Sequence, residues 1–451
     1  MRRDLWSMEK RDVIHILTSI THCNIYYNER KKYKHIYNEI EALVGSQYKK
    51  EIWCLIVNTA RAIKYKAKGL AVPRDFAPYK ANPQKISHKR MVKLVDTLES
   101  LGYIDIYTGG VVDWHKMLTV GSANTFNQSW IDLFVGVDVQ DEEDSFDPVI
   151  VKDRESGEVK STRGQAGVKF IREYLTKFNL ILQDTAFSSP DSEHPVQQYK
   201  RVFSDNMKSG GRHYNSCGGL QTMSGDDRLK LKINGEAVSE LDFKAMHVSL
   251  LYEEELVNNK DVVESWITDE WGGEYKPYNV EMPFLEVDQD AVNYFKAKYG
   301  KDKHDPIRNL AKHALMVSLN AQNYRSAFQQ VTKEVVADHK RIGTDTEDQC
   351  KFYGIKVGSS FPGHTVCQEV QLHNKPIGQY FFKDQGIRLQ YLDSEIMACV
   401  INRLICEDEP LLPEHDSVIV RQSIKEKVKE YMHEAYLEVM GSDVFCFVEE
   451  K

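Results

Sequence analysis

The sequence lacks the features that mark membrane, secreted and zinc-binding proteins. None of its 451 residues lies in an apolar run that approaches the ~18 residues typical of a membrane span. The N-terminus has no apolar signal-peptide core. The eight cysteines are scattered without a Cys-x-x-Cys pair, so their spacing predicts neither a zinc site nor a disulfide framework. These absences predict a reduced, cytoplasmic protein with no membrane partner.

The charge is unevenly distributed along the chain. Residues 1–110 hold 20 Lys and Arg against 11 Asp and Glu, whereas the remaining residues hold 39 against 56. A basic N-terminal part on an acidic body indicates an end that faces nucleic acid. Ordinary variation of the surface is the alternative.

The N-terminal part is predicted to be helical. Apolar residues recur every three or four positions over residues 11–25 and 33–43, and a third helix is predicted over residues 50–68. The middle of the chain has a predicted helix at residues 166–182 and a predicted loop at residues 188–194.

The segment after Ser87 is more specific. Ser87 is a plausible N-cap for an amphipathic helix whose outer face carries Lys89, Arg90 and Lys93. A hairpin that turns at Gly109-Gly110 is predicted to follow. The combination resembles the recognition helix and wing of winged helix-turn-helix domains, in which a basic helix neutralises phosphates. A winged helix used for protein contacts is the alternative.

Asp242 ends a predicted strand, residues 236–242, and a helix is predicted to follow directly. An Asp at such a strand end is a usual place for a metal ligand. Capping of the following helix explains the same residue equally well.

A second helix has a clear start, because Asp305 can cap it and Pro306 suits its first position. Arg308 and Lys312 lie one turn apart on one stripe, so their charges repel unless an anion lies before them. A triphosphate would satisfy both cations. A solvated basic face is the alternative.

A third feature is the segment Leu411 to Val420, in which two apolar runs flank a polar tip. The pattern predicts a hairpin with Asp416 at its apex. Asp also favours turns for local hydrogen-bonding reasons, so the hairpin alone does not indicate catalysis.

In this order, the three features resemble the palm and fingers of A-family DNA polymerases and of single-subunit phage and mitochondrial RNA polymerases. Those enzymes have a strand-end Asp, then a helix reading Arg-x-x-x-Lys-x-x-x-(Phe or Met)-x-x-x-Tyr-Gly, then a His-Asp-Ser or His-Asp-Glu hairpin. The chain matches them with Asp242, with Arg308, Lys312 and Met316, and with His415-Asp416-Ser417. Leu220-Gln221-Thr222-Met223 is similar to a Leu-Gln-Asn-Ile-Pro segment of the family. The resemblance covers about residues 205–440.

The resemblance implies a role for each matching residue. Asp242 and Asp416, helped by the backbone carbonyl of Phe243, would hold two Mg²⁺ ions (or Mn²⁺) roughly 4 Å apart. Arg308 and Lys312 would clamp the triphosphate, and Lys312 would assist the departure of pyrophosphate. The residues implied to hold the primer end are Arg212, Gln221 and His415.

Two positions depart from the family pattern. Asn320 stands where the family has Tyr, so the selection of nucleotides at Met316 and Asn320 must work differently. His247 stands five residues after the first Asp, where DNA polymerases have Glu and RNA polymerases have Gly. The bulk of His247 slightly favours deoxynucleotides, but an RNA polymerase could use its imidazole to bind the 2′-hydroxyl. Asp393 and Glu395 are interpreted as solvated helix surface, with a third carboxylate of the site as the alternative.

The expected fold is α+β. A polymerase-like right hand, with an antiparallel palm sheet and helical fingers and thumb, would follow an N-terminal helical, winged-helix-like domain. The predicted boundaries are 1–125 for the nucleic-acid-binding domain, 126–205 for a linker and thumb-like region, and 206–451 for palm and fingers.

The expected activity is nucleotidyl transfer to a 3′-end. The partners would be nucleoside triphosphates and a DNA or RNA primer-template, in a bacterial cytoplasm or encoded by a phage, plasmid or other mobile element, with a role in replication. An RNA polymerase or primase of the single-subunit type is one alternative. A non-catalytic nucleic-acid-binding protein with a repurposed palm is the other.

Overall fold

Two large sheets, a two-stranded sheet of β-strands at residues 110–113 and 118–120, and the helices around them make up the described part of the chain. The computed structural model describes residues 3–4, 16, 20–23, 29–74, 79, 84–108, 110–113, 118–120, 123–139, 147–190, 192–217, 220–299, 305–339, 354–357 and 360–451. The mixture of helices with largely antiparallel sheets agrees with the expected α+β class. Within these residues, no helix has both the length and the apolarity to cross a membrane.

The helices occur in all parts of the chain. They are α1 (Lys34–Val44), α2 (Lys49–Lys64), α3 (His88–Ser100), α4 (Gln128–Asp132), α5 (Val168–Gln183), α6 (Gly225–Arg228), α7 (Met246–Asn258), α8 (Lys260–Asp269), α9 (Gln289–Tyr299), α10 (Pro306–Asn320), α11 (Tyr324–His339), α12 (Gly363–His373), α13 (Gly386–Ile405) and α14 (Lys425–Met440).

The strands are mostly short. They are β1 (Arg3–Asp4), β2 (Ile20–His22), β3 (Gly69–Ala71), β4 (Ile104–Thr108), β5 (Gly110–Asp113), β6 (Leu118–Val120), β7 (Ala123–Phe126), β8 (Val149–Lys152), β9 (Val159–Lys160), β10 (Phe187–Ser189), β11 (Ser192–His194), β12 (Gln198–Ser204), β13 (Gly210–Cys217), β14 (Lys232–Ile233), β15 (Glu236–Phe243), β16 (Leu412–Glu414), β17 (Ser417–Arg421) and β18 (Val448–Glu450).

The first sheet has the strand order β1-β4-β7-β3-β2-β13-β12-β8-β9. It connects the N-terminal part to the middle of the chain, because Thr21 on β2 pairs with Cys217 on β13. Buried side chains support the same connection: Arg61 on α2 donates to the side-chain oxygen of Gln198 at 2.8 Å. Strands β12 and β13 pair with each other, so the predicted boundary at residues 205/206 lies between two paired strands.

The N-terminal core forms around α2, which is buried over most of its length. The Trp53 ring stacks on the Tyr37 ring at 4.9 Å between centroids, and the indole of Trp130 donates to the Thr59 hydroxyl at 3.1 Å. Helix α3 packs against this core through its apolar stripe. Ser87 caps α3 as predicted, because its hydroxyl accepts from the backbone N–H of Arg90.

Three sequence predictions in this half need correction. The helix predicted over residues 11–25 is wrong at Ile20–His22, which pair as a strand with Gly69–Ala71; the rest of that segment lies almost wholly outside the described residues. The predicted turn at Gly109-Gly110 is also wrong: Gly109 lies outside the described residues, but Gly110 pairs with Val120 while β4 pairs with β7. The loop predicted at residues 188–194 contains the β10–β11 hairpin. At Ile20–His22, pairing with distant backbone overrides the local pattern, whereas the β10–β11 hairpin is a local pairing that the loop prediction missed.

The second sheet carries the residues of interest. Its strands run in the order β11-β10-β14-β15-β17-β16, and β18 is an additional strand that also pairs with β15. All these pairs are antiparallel. Helices α7, α13 and α14 pack together beside this sheet. Helices α10, α11 and α12 pack against one another, and α10 also contacts α13.

Candidate active site

Asp242 and Asp416 lie next to each other in the second sheet. Strands β15 and β17 pair with Asp242 opposite Ser417, so Asp416 in the β16–β17 turn is one residue away. The backbone N–H of Phe243 donates to the carbonyl of Asp416 at 3.1 Å. Two residues 174 positions apart in the numbered sequence are thus held together by main-chain pairing.

The two carboxylates influence each other. Burial raises the pKa of Asp242 above its ordinary value, the negative charge of Asp416 raises it further, and Lys451 opposes both effects. The side chain of Asp242 is 25% exposed, so it is accessible from solvent. A cation placed between two such groups would relieve their repulsion.

The turn that presents Asp416 also fixes His415. His415 has a positive φ of 60°, and its ring contacts the Tyr214 ring edge-on at 5.8 Å. Burial lowers the pKa of His415, and the nearby Arg212 lowers it too, so the imidazole is neutral at pH 7. His415, predicted to hold the primer end, therefore lies directly beside the two aspartates.

Glu240 on β15 is a buried carboxylate that connects this strand to β17. Glu240 accepts from Arg228 through both oxygens, at 3.0 and 2.9 Å, and from the Ser417 hydroxyl at 3.1 Å. Burial raises the pKa of the neighbouring Glu414 to about 7, and the charges of Glu240 and Asp416 contribute. This group of acids and bases holds the β16–β17 turn against β15.

Arg308 and Lys312 lie together on α10, whose start is capped as predicted. The Asp305 carboxylate accepts from the Arg308 backbone N–H at 3.0 Å. Both cations lie over the ring of Tyr278, at 5.6 Å for the guanidinium and 5.8 Å for the ammonium. In the part of the chain that the structure describes, neither cation forms a salt bridge with a carboxylate. The stripe is therefore free to bind an anion.

The Tyr278 phenol is influenced by charges from both the cationic stripe and Asp416. Burial raises the pKa of the Tyr278 phenol, the charge of Arg308 lowers it, and the charge of Asp416 raises it. The phenol thus lies within electrostatic range of both sides of the site. A cavity of about 220 Å³ opens here, and its wall includes Lys244, Lys276 and Arg308 in addition to Tyr278.

Met316 and Asn320, further along α10, contact the protein itself. Met316 packs against the main core. The Asn320 amide donates to the Met316 carbonyl at 2.7 Å, and its oxygen leaves no room for a Cβ at Gly386, the first residue of α13. Their predicted contact with a nucleotide stays a prediction.

Arg212 and His247 converge on Asp393, a residue that the sequence analysis placed wrongly. Arg212 donates to both carboxylate oxygens of Asp393, and the Nε2 atom of His247 lies 3.0 Å from the same carboxylate. The Asp393 side chain is fully buried. It was predicted to lie on a solvated surface, but α13 turns this face towards β13 and α7.

Glu395 was also predicted to lie on a solvated surface, and it too forms a salt bridge. It is only partly exposed, and it accepts at 2.7 Å from Arg201, whose side chain is almost fully buried. A solvated surface is therefore the wrong description of both acids on α13.

Gln221 joins two strands through its amide. Its oxygen accepts from the backbone N–H of Asn215 at 2.6 Å, and its nitrogen donates to the carbonyls of His213 and Pro413 at 3.1 and 3.0 Å. The amide thereby ties β13 to the hairpin that carries Asp416. A contact with the primer end, predicted for Gln221, would compete with these hydrogen bonds.

The predicted duplex-binding residues lie on α3 in the N-terminal core. Lys89, Arg90 and Lys93 are exposed. The positive charge of Arg90 is partly balanced within the protein, because its guanidinium lies 3.6 Å from the buried carboxylate of Glu51. The structure thus provides a basic helix face, but not one that joins the carboxylate site.

Comparisons with solved structures find similarity where comparisons of sequence do not. A scan against protein-family models and a search of curated proteins both find no match. A search of solved structures finds similarity to the POL domain of Pol1 from M. smegmatis in complex with DNA primer-template and dNTP. The similarity covers 97% of this chain and 67% of that chain, at 10% sequence identity and a TM-score of 0.29. A TM-score this low carries no argument, so the chemistry has to be inferred from the chain's own residues.

The donor set fits a hard divalent cation. Asp242 and Asp416 offer carboxylate oxygens, and Phe243, which follows Asp242 in sequence, offers a backbone carbonyl; oxygen ligands of this kind are those that Mg²⁺ and Mn²⁺ prefer. Burial is the main reason that the pKa of Asp242 is raised, and the negative charge of Asp416 adds to it, so a bound cation would favour the ionised carboxylate. Across the described ranges, no cluster of three or more His, Cys, Asp or Glu side chains forms a ready metal site.

Two residues of this site were not predicted from the sequence, and a third, Asp393, was named only as the alternative to a solvated surface. Tyr278 and Lys451 gave no local signal, because each reaches the site only through the packing of a distant segment. Asp393 did give one: it lies four residues from both Leu389 and Met397, two buried positions of α13. A charged residue in an apolar stripe indicates a buried partner.

Proposed function

We propose that the chain is a nucleic acid polymerase that adds nucleoside monophosphates to a 3′-end. One observation carries the proposal: Asp242 and Asp416 are neighbours across two paired strands, and the Tyr278 ring contacts Arg308 and Lys312 while its phenol is influenced by the charge of Asp416. Acidic groups that hold divalent cations, opposite basic groups that hold a polyphosphate, are what phosphoryl transfer needs.

Each group of residues would have its own role in nucleotidyl transfer. The 3′-hydroxyl of the primer would lose its proton to solvent, its oxygen would form a bond to the α-phosphorus, and the bond from that phosphorus to the pyrophosphate oxygen would break. Divalent cations held by Asp242, Asp416 and the Phe243 carbonyl would supply Lewis-acid stabilisation of this exchange when bound. Arg308 and Lys312 would neutralise the departing pyrophosphate, with Lys312 able to give it a proton.

The cavity beside Tyr278 suits the far end of a triphosphate. Lys244, Lys276 and Arg308 contribute three positive groups to its wall, although Lys244 and Lys276 also contact Glu449 and Glu274, each at 2.7 Å. Those two acids are exposed, so their pairs exchange readily with a stronger anion. On this proposal Lys276, which comes from outside the three motifs, also binds the nucleotide.

The nucleic acid would lie along the other side of the aspartates. His415 and Tyr214 are beside Asp416, and Arg212 is held close by Asp393. We propose that the primer end contacts this group, and that the exposed Lys89 and Lys93 on the winged-helix-like part bind duplex phosphates. Replication of a mobile element is the setting we propose for such an enzyme.

A ribonucleotide polymerase is the second candidate, and His247 favours it. Its Nε2 atom lies 3.0 Å from the Asp393 carboxylate and 3.2 Å from the Arg212 guanidinium, so it either donates to the acid or accepts from the arginine. When Nε2–H donates to Asp393, Nδ1 is an acceptor, and it is buried without a hydrogen-bond partner among the described residues. A ribose 2′-hydroxyl would satisfy it, whereas the bulk of His247 favours deoxyribose.

Primer extension tests these candidates. The wild type, Asp416→Asn, Arg308→Ala and the surface control Asp226→Asn would be given a labelled primer-template with either dNTPs or NTPs. We expect extension by the wild type and the control, with rates reduced by about 10³-fold or more in Asp416→Asn. Equal extension by Asp416→Asn would refute the proposal. Duplex binding without extension of either nucleotide would favour the non-catalytic alternative.

A further inference from the structure

Lys451 extends the sheet on the outer side of β15. Leu241 pairs with Glu450 and Asp242 with Glu449, and the backbone N–H of Lys451 donates to the Glu240 carbonyl at 2.9 Å. Lys451 therefore lies opposite Glu240. Because side chains alternate between the faces of a strand, Lys451, Glu240 and Asp242 share one face.

The ammonium group of Lys451 bridges two carboxylates of different kinds. Its Nζ lies 2.9 Å from Glu240 and 3.1 Å from Asp242. Glu240 is buried, whereas Asp242 is 25% exposed and is the candidate metal ligand. Two carboxylates within 3.1 Å of the Lys451 ammonium favour its charged form.

The two carboxylates depend on Lys451 to different degrees. Glu240 already accepts from Arg228 through both oxygens and from the Ser417 hydroxyl, so it is compensated without the lysine. For Asp242, Lys451 is the salt-bridge partner that the described part of the chain provides. The side chain of Lys451 thus matters most for the group that would bind the metal.

We propose that Lys451 is a resident counter-cation of the candidate metal centre: it holds an oxygen of Asp242 in the metal-free protein and competes with a divalent cation for it. The inference rests on the proposed function only in taking Asp242 as a metal ligand. A lysine suits this role because its flexible stem and rotating ammonium let it release one acceptor while it keeps another. Glu240 is the acceptor it would keep.

Two consequences follow. Before metal binds, Lys451 reduces the repulsion between Asp242 and Asp416 and so keeps the site formed. When metal binds, the lysine has to give up Asp242 and remain near a second positive charge, which lowers the affinity of the site. Removing the ammonium should therefore tighten metal binding rather than weaken it.

The test is Mn²⁺ binding, measured by the electron paramagnetic resonance signal of the free ion in titrations at fixed ionic strength. Lys451→Gln removes the charge, Lys451→Arg keeps it, and Asp242→Asn removes the metal ligand. Lys425→Gln is the matched control. Lys425 forms a salt bridge at 2.8 Å with Glu450, the residue before Lys451, and is not paired with Asp242.

We expect Lys451→Gln to bind Mn²⁺ about three- to tenfold more tightly than the wild type. Lys451→Arg and Lys425→Gln should stay within about twofold of the wild type. Unchanged or weaker binding by Lys451→Gln would overturn the proposal. Thermal unfolding in EDTA gives a second readout: Lys451→Gln should unfold at a lower temperature than the wild type, and Mn²⁺ should raise its midpoint more.

The outcomes separate this inference from the polymerase proposal. If neither the wild type nor any variant extends a primer, but Mn²⁺ binding responds as expected, Lys451 has the proposed role and polymerisation is refuted. If Lys451→Gln leaves the Mn²⁺ affinity unchanged while Asp242→Asn reduces it, only the role of Lys451 is refuted. If Asp242→Asn binds Mn²⁺ as tightly as the wild type, the ion is not at Asp242, and both proposals fail.

Discussion

The backbone N–H of Phe243 donates to the carbonyl of Asp416 at 3.1 Å. This hydrogen bond joins the residue after one candidate metal ligand to the other ligand itself. Because it uses main-chain atoms, either aspartate can be replaced without breaking the link between the strands. Mutations of the two carboxylates therefore test chemistry rather than folding.

Asp416→Asn should abolish extension and yet stabilise the metal-free protein. The substitution keeps the size and the backbone hydrogen bond of Asp416 but removes a negative charge that raises the pKa of Asp242. We expect the free energy of unfolding in EDTA at pH 7 to rise by about 1 kcal/mol. Urea unfolding measures this, with Asp226→Asn on the surface as the control for loss of a charge. A clear loss of stability would contradict the repulsion between Asp242 and Asp416.

Lys276→Ala should weaken the binding of nucleotide with little effect on kcat. If its ammonium binds the far phosphates equally in the ground state and the transition state, KM rises by about three- to tenfold while kcat stays within about twofold. Steady-state extension kinetics measure both. Lys260→Ala is the control, because Lys260 also pairs with an exposed glutamate, Glu264, but lies on α8 away from the cavity. An unchanged KM would exclude Lys276 from the nucleotide site.

Asp393→Asn should destabilise the fold and alter the choice of sugar. It leaves the guanidinium of Arg212 buried with a neutral partner, for which we expect a loss of about 3 kcal/mol in unfolding free energy. It also replaces the carboxylate that contacts Nε2 of His247 by an amide, so the ratio of kcat/KM for NTPs and dNTPs should change. Glu407→Gln breaks an exposed pair with Lys427 and should cost under about 1 kcal/mol. An unchanged ratio would separate His247 from sugar selection.

Glu414 should make stability depend on pH near neutrality. Its pKa is raised from 4.5 to about 7 in the folded protein, chiefly by burial. Between these values the folded state holds a proton that the unfolded state has lost, so the free energy of unfolding falls as the pH rises from about 4.5 to 7. Glu414→Gln should remove up to about 3 kcal/mol of that fall. Urea unfolding in EDTA at several pH values measures the difference, and parallel curves would contradict it.

Lys89 and Lys93 should affect the binding of duplex but not stability. Both are exposed on α3 and contact no acidic residue in the part of the chain described here. The double change to Ala should weaken duplex binding and reduce the salt slope by about two, with unfolding free energy unchanged within about 0.5 kcal/mol. Fluorescence anisotropy at several salt concentrations measures this.

Arg90→Ala is the contrasting variant for the same helix. It removes a cation that lies 3.6 Å from the buried Glu51, so it should lower both duplex binding and unfolding free energy. If the double lysine variant binds duplex as tightly as the wild type, α3 does not contact nucleic acid.

Local signals predicted several elements well. Asp305 and Pro306 at the start of α10, and Ser87 at the start of α3, identify helix ends because a cap is a contact between residues three positions apart. The β16–β17 hairpin was equally clear, since its two strands are neighbours in sequence. For such elements the relevant contacts lie within a few residues.

Long-range contacts were predicted less well. The strand at Ile20–His22 looked helical by its periodicity, and its partners are 49 and 196 residues further on. Asp393 looked solvated, because its partners Arg212 and His247 lie on β13 and α7. Nothing in a segment's own pattern reports the polar groups that a distant segment will bring to it.

The sequence by itself determined the carboxylates at Asp242 and Asp416, the cations at Arg308 and Lys312, and the local structure that holds each of them. Tertiary structure alone decided that Tyr278 lies beneath the cations, that Asp393 fixes Arg212 and His247, and that Lys451 contacts Asp242. The physical reason is range. Helix caps and turns are set by hydrogen bonds over three or four residues, whereas the charge around an active-site group depends on strands and helices that meet only when the chain folds.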